Sequence, residues 1–324
     1  MRKFLTFILT ACICLMAFTG CGGKKSEKIT GDIELPVTKT VRQYGITETV
    51  VLRKKPERVA TLSFTPVMAL YKLGIKQIIV PENKMGRWPA DLEKDARQMS
   101  TAMASNFDIE AIVAAQPDLV ILPYHAKEKY GKILESQKIP AYYVDAGPAM
   151  SYQSVKETSE VLVEAFGKHS EAGRTILQEF SRLEKRMAET REKNKGKKVM
   201  VLMSAPPNHY IQNEQANLGS MMQLLGYENV FKEKNIKNSM VMLDKEKALS
   251  YQPDIVVSTG FGSAGQHETN MKKDFASNPE YWNQIAAIRS GRIIFLSQEY
   301  AVSRGINVVE NINTLIDMLE NKGL

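Results

Sequence analysis

Apolar positions along this chain fall into two kinds of run, and their alternation predicts the architecture. Short apolar runs bounded by turn or charged residues read as buried strands: Arg58-Val-Ala-Thr-Leu62, Gln77-Ile-Ile-Val80, Leu119-Val-Ile-Leu122, Ala141-Tyr-Tyr-Val144, Lys197-Lys-Val-Met-Val-Leu-Met203, Ile255-Val-Val257 and Arg292-Ile-Ile-Phe-Leu296. Helical patterns lie between them, over Pro66 to Leu73 ahead of Gly74, over 127–137, over Leu218 to Leu225 ahead of Gly226, and over Asn307 to Asn321. Strands alternating with helices imply parallel pairing in an α/β sheet. Val41 to Leu52 alternates enough to suggest a short β-hairpin, whereas 81–107 reads as irregular and 259–281 as a long segment with three glycines.

Between the two halves the pattern changes. No strand signal appears from Ser151 to about Asn194. Val155, Leu162 and Phe166 mark one helix, ended by Gly167, and Ala172, Ile176, Phe180, Leu183 and Met187 form an amphipathic stripe at intervals of three to four. Such a helix, midway along the chain, is the natural bridge between two lobes. It is stiff, so only modest lobe closure is expected.

The two halves also repeat one another. Glu110-Ala-Ile-Val-Ala-Ala-Gln-Pro-Asp118 and Glu246-Lys-Ala-Leu-Ser-Tyr-Gln-Pro-Asp254 each lead from a short helical pattern, through a Gln-Pro-Asp turn, into an apolar strand. A repeated helix–turn–strand unit predicts two lobes of similar build. The expected fold is α/β: two Rossmann-like lobes, 38–150 and 195–324, with a cleft between them, joined by a long bridging α-helix within 151–194. Clefts of this kind usually hold a ligand.

The N-terminus adds a destination. Met1-Arg2-Lys3 precedes an almost continuously apolar stretch from Phe4 to Phe18, the form of a secretory signal peptide over 1–20. Phe18-Thr-Gly-Cys21 resembles the lipobox of bacterial lipoproteins, with Phe18 in place of the usual Leu. That resemblance implies lipidation of Cys21 and a tether over 21–37. The only three cysteines are Cys12, Cys14 and Cys21, so the mature fold is expected to carry no free thiol and no disulfide. Placement is expected at the cell membrane, lipid-anchored on the extracytoplasmic face.

Composition narrows the function. A net charge of +7 is spread thinly, with no basic stripe interleaved with aromatics, which argues against nucleic acid as a partner. No Gly-x-Ser-x-Gly elbow, His-Glu-x-x-His pair, phosphate-cradling loop or cysteine nucleophile is present, so a binding protein is favoured over an exported hydrolase.

Arg58-Val-Ala-Thr-Leu62, the two Glu…Gln-Pro-Asp units, the central helix and the lipobox, in this order, resemble the substrate-binding lipoproteins of bacterial ABC importers for iron complexes and cobalamin. The resemblance covers roughly residues 38–320. It implies a monomer without catalysis or an intrinsic cofactor, which captures a ferric siderophore or haem, or alternatively cobalamin, and serves an ABC permease and its ATPase. It also places Glu110 and Glu246 where one glutamate of each lobe docks onto arginines of the permease; a bare first-turn role, favoured by the helix dipole, is the alternative.

In that family the pocket is lined by loops after strand ends. Here these are Thr101 to Asn106, Tyr124-His125, Asn208-His209-Tyr210 and Phe261 to His267, with Tyr300 and Arg304 at the rim. One branch binds haem through a Met of the first lobe and a His of the second. Met103 and His267 are the residues available for those parts, as metal ligands only if the cargo is haem, although Met103 stands two positions further from Glu110 than that branch has it. His209 or His125 with a nearby Tyr is a competing arrangement. A ferric siderophore would instead use aromatics and cations: Tyr124, Tyr210, Trp88, Arg87 and Arg304. A bare Zn²⁺ or Mn²⁺ site wants three or four His or carboxylate ligands, and this chain has four His, with His169 on the bridge.

Overall fold

A computed structural model describes residues 32–83, 88–100, 106–145, 151–233, 239–301 and 307–324. The chain enters through β1 (Ile33–Leu35), a helical turn α1 (Lys39–Arg42) and β2 (Val50–Leu52), with β2 antiparallel to β1 and Leu52 opposite Ile33. The hairpin expected over 41–52 is therefore shifted. Val41 is buried inside α1, and Gly45, at φ +79°, turns the chain out of that helix.

The N-terminal lobe runs β3 (Val59–Thr61), α2 (Phe64–Lys72), β4 (Gln77–Pro81), α3 (Ala90–Asp95), β5 (Arg97–Met99), α4 (Ile109–Ala114), β6 (Leu119–Pro123), α5 (Lys127–Ser136) and β7 (Ala141–Val144). Its sheet is wholly parallel in the order β5-β4-β3-β6-β7. The first strand is central and the winding reverses between β3 and β6, a switch point whose crevice lies at the carboxyl ends of the strands. Sequence reading left α3 and β5 as irregular chain. Only Leu92 of α3 and Met99 of β5 are buried, too few positions to show a period.

The bridge is a pair of helices, α6 (Tyr152–Phe166) and α7 (Glu171–Asn194). Ser151 and Ser170 cap them, accepting hydrogen bonds from the Ser154 and Gly173 amides. α7 has 24 residues and spans about 36 Å. Its apolar stripe is buried through Ile176, Phe180, Leu183 and Met187.

The C-terminal lobe runs β8 (Lys198–Ala205), β9 (Asn208–Gln212), α8 (Asn217–Leu224), β10 (Glu228–Asn229), β11 (Met240–Met242), α9 (Lys245–Ser250), β12 (Ile255–Thr259), α10 (Ala264–Ser277), α11 (Pro279–Trp282), α12 (Ala286–Arg289), β13 (Ile293–Leu296) and α13 (Val308–Asn321). Its sheet order is β11-β9-β8-β12-β13, with β10 also pairing β8. β9 is antiparallel to both β8 and β11, whereas β8, β12 and β13 are parallel. Asn208-His209-Tyr210 is thus strand rather than loop, folded back on β8 through Pro206-Pro207. Within the glycine-bearing segment 259–281, residues 264–277 are helix, opened by a capping box between Ser263 and Gln266.

One apolar layer passes through both lobes. Leu119 and Ile121 of β6 join Leu162 of α6 and Phe180 and Leu183 of α7. The same cluster continues into Val199 and Val201 of β8, Val257 of β12 and Leu315 of α13. Separate clusters cover the remaining faces of each sheet. The bridge therefore sits at the centre of a shared core, and each fully buried leucine in it is worth about 1.5–3 kcal/mol.

Candidate functional site

Each repeated unit is capped by an aspartate at the start of its helix. Asp108 accepts a hydrogen bond from the Ala111 amide at 3.0 Å, and Asp244 accepts from the Glu246 and Lys247 amides, each at 3.0 Å. These caps place Glu110 and Glu246 at the second position of two six-residue helices, α4 and α9. Both are exposed, and neither has an ion-pair partner among the described residues.

The Gln-Pro-Asp turns explain how that placement is held. Gln116 and Gln252 take left-handed backbone, at φ +50° and +42°, and end their helices. Asp118 then accepts from the Glu57 and Arg58 amides at 2.8 and 2.9 Å, and Asp254 from the Lys198 amide at 2.7 Å. Each carboxylate ties the start of the incoming strand to its central neighbour, β6 to β3 and β12 to β8. Arg58 and Arg292 donate to the turn carbonyls Gln116 O (3.1 Å) and Asp254 O (2.8 Å).

At the switch-point edge of the N-terminal lobe, β6 ends in a 3-10 turn, Tyr124–Ala126, that carries Tyr124 and His125. Both are half-buried. Tyr124 stacks on Tyr44, with ring centroids 3.7 Å apart and planes 2° from parallel, and meets the His125 ring edge-on at 5.4 Å. Burial first, then the Asp145 carboxylate and the Tyr124 side chain, push the Tyr44 phenol up to about 12. These rings open onto a groove of about 1010 Å³, whose walls also carry Tyr143, Lys127 and Glu48. Lys127 is paired with Glu48 at 2.6 Å.

The other aromatic and imidazole candidates are drawn into the interior. Trp88 is 3% exposed and donates from its indole to Pro81 O at 2.8 Å, which makes it a core residue. His209, 4% exposed, bonds Ser204 Oγ at 3.0 Å, lies 3.3 Å from Asp274 and packs edge-on against Trp282. Burial holds its imidazole below the usual range despite Asp274. His267, 1% exposed, bonds Ser258 Oγ at 2.9 Å through Nε2 and is pushed down to about 4, by burial and then by His209. Tyr210 is half-buried in β9 between Met203 and Met242, and Tyr300 is a core residue whose hydroxyl donates to Asn311 O at 3.2 Å. Cys21, Arg87, Met103 and Arg304 lie outside the described residues. Among the described residues no cluster of three or more His, Cys, Asp or Glu is assembled to hold a metal, and no helix is long and apolar enough to cross a membrane.

A family model described as periplasmic binding protein matches residues 59–300, most of both lobes. The chain belongs to the periplasmic binding protein family. Relatives of this periplasmic binding protein span nearly its whole length. It is 20% identical over 314 residues to the ABC transporter substrate-binding lipoprotein YvrC of Bacillus subtilis, covering 95% of this chain and 94% of that one. It is also 20% identical over 317 residues to the high-affinity heme uptake system protein IsdE of Staphylococcus aureus, covering 98% and 97%. Among solved structures, the periplasmic catecholate-siderophore binding protein VctP of Vibrio cholerae shares the fold, with a TM-score of 0.64 at 15% identity, over 90% of this chain and 100% of that one. The family and these relatives place this chain among the substrate-binding proteins that serve ABC importers. Its relatives are named for transport and not for catalysis.

Sequence reading missed Tyr44 and Asp145. Tyr44-Gly45 was visible only as the middle of a supposed hairpin. Asp145 was hidden because a single acid after a strand carries no pattern.

Proposed function

We propose that this protein, anchored by lipid on Cys21 at the outer face of the cell membrane, captures a ferric siderophore as a monomer and hands it to its permease through Glu110 and Glu246. The observation that carries the delivery role is the matched pair of exposed, unpaired glutamates at the same helical position of both lobes. Two charged anchors on separate lobes fix the orientation of docking and respond to lobe spacing. The choice of cargo follows the side chains that stay accessible. Phenols and His125 line the groove, whereas the His267 ring that haem would need is enclosed and already bonded to Ser258.

The test is a parallel titration of the full chain with a ferric catecholate, haem and cobalamin, followed by intrinsic fluorescence and absorption. Saturable binding of the ferric catecholate alone is the expected result. A haem Soret shift that disappears in His267→Ala, or saturable binding of cobalamin alone, would overturn the choice of cargo.

A further inference from the structure

The described chain begins at the amino edge of the N-terminal sheet. Ile33 of β1 pairs with Leu52 of β2, and the Asp32 carboxylate accepts from Arg53 at 3.3 Å. The chain after Arg53 leads directly into β3, so Asp32 stands beside the amino ends of the parallel strands. Those ends carry a row of exposed cations, in sheet order Arg97 on β5, Lys76 ahead of β4, Arg58 ahead of β3 and Lys138 ahead of β7. Neighbouring strands are about 4.8 Å apart, which makes the row about 19 Å wide. Arg53, Lys54 and Lys55 extend it in the loop before β3. Against these seven cations stand four acids, Asp32, Glu57, Asp95 and Asp118. Asp32 is paired with Arg53, and Asp118 is held by the Glu57 and Arg58 amides. Between Cys21 and Asp32 the sequence adds Lys24, Lys25 and Lys28 against Glu27. Around the carboxyl ends of the same strands the sign reverses, and Asp108, Glu110, Glu128 and Asp145 outnumber Lys127 and Lys129.

We infer that the amino edge of the N-terminal lobe is a membrane-contact surface that lies on anionic phospholipid headgroups. This rests on the lipid anchor proposed at Cys21 and adds an orientation to it. Cys21 precedes Asp32 by eleven residues. A fully extended chain of that length spans at most about 40 Å, so the anchor keeps the cationic edge close to the bilayer. Anionic headgroups attract clustered Lys and Arg within a Debye length of the surface, about 8 Å at physiological salt, and repel an acidic edge. Both charges turn the lobe the same way. The carboxyl edge, with Tyr124 and His125, then faces the medium from which cargo arrives.

A lipid on Cys21 leaves the mature lipoprotein without a free thiol, so one introduced cysteine carries one fluorophore. Gln137→Cys places it on the amino edge, and Glu128→Cys in the first turn of α5, toward the carboxyl edge; both positions are exposed. The labelled lipoprotein is inserted into phosphatidylcholine vesicles, with or without phosphatidylglycerol, that carry a headgroup-linked quencher. With phosphatidylglycerol, the label at 137 is expected to be quenched at least about threefold more than the label at 128. High salt is expected to bring that ratio to about one, as is the triple variant Lys54→Glu, Lys55→Glu, Lys76→Glu. Lys195→Glu with Lys198→Glu, in the C-terminal lobe, is expected to leave the ratio unchanged. Equal quenching of both labels on phosphatidylglycerol would overturn the contact surface. A ratio lost in the C-terminal pair and kept in the triple variant would overturn its assignment to this edge. Failure of the unlabelled protein to stay on plain phosphatidylcholine vesicles would instead overturn the lipid anchor.

Discussion

His267 and His209 are only 1% and 4% exposed, although His267 also lines a pocket of about 530 Å³ beside Asp274. Each ring is neutral in the folded protein because burial penalises its charged form. The sign of the consequence follows. The unfolded chain binds a proton near pH 6.5, whereas folded His267 does so only near 4, so stability is full above about 6.5 and is lost as pH falls through that window. The loss attributable to His267 is of the order of 3 kcal/mol. Urea unfolding midpoints are expected to fall between pH 6.5 and 4, with a shallower slope in His267→Gln. An equal slope in the variant would show that this ring is not the titrating group. At the same scale, residue type in the sequence named three imidazoles and a tryptophan as candidates without revealing which way they face. Trp88, His209 and His267 were spent on the interior, a matter of tertiary packing that no local pattern encodes.

Elements were far more legible. Every apolar run read as a strand is one, because a strand buried on both faces must be apolar at nearly every position. The bridge stripe and the Gln-Pro-Asp turns were equally plain. What stayed hidden was short or two-faced: α3 and β5, the antiparallel β9, and α10, whose buried residues are only His267 and Met271. The turn between the bridge helices yields a test of the packing. A Cβ on Gly173 would lie 2.2 Å from the Gly167 carbonyl oxygen, a backbone atom that cannot rotate away. On Gly265, in the first turn of α10, it would meet nothing within 4 Å. Gly173→Ala is therefore expected to cost about 1–3 kcal/mol, and Gly265→Ala to be neutral or to stabilise by up to about 1 kcal/mol, the gap in helix propensity. Chemical denaturation distinguishes them, and a stabilised Gly173→Ala would contradict the close helix–turn contact.

Across the whole molecule, the shared core sets what the lobes can do. The cluster runs without a break from β6 through α6 and α7 to β8 and α13, so a large hinge motion would expose apolar surface that is now buried. Small changes in lobe spacing, read by two rigidly capped anchors, suit that constraint better than wide closure. In the proposed function Glu110 and Glu246 act outward, on the permease, and leave the cleft untouched. The direct measurement is uptake of a radio-iron siderophore by cells carrying Glu110→Lys with Glu246→Lys, beside the affinity of the purified variant for the same complex. Cys21→Ser serves as the detached control. Uptake is expected to fall at least about tenfold, since like charges would now face the docking arginines, with the affinity unchanged. Uptake equal to wild type in the double variant would contradict it.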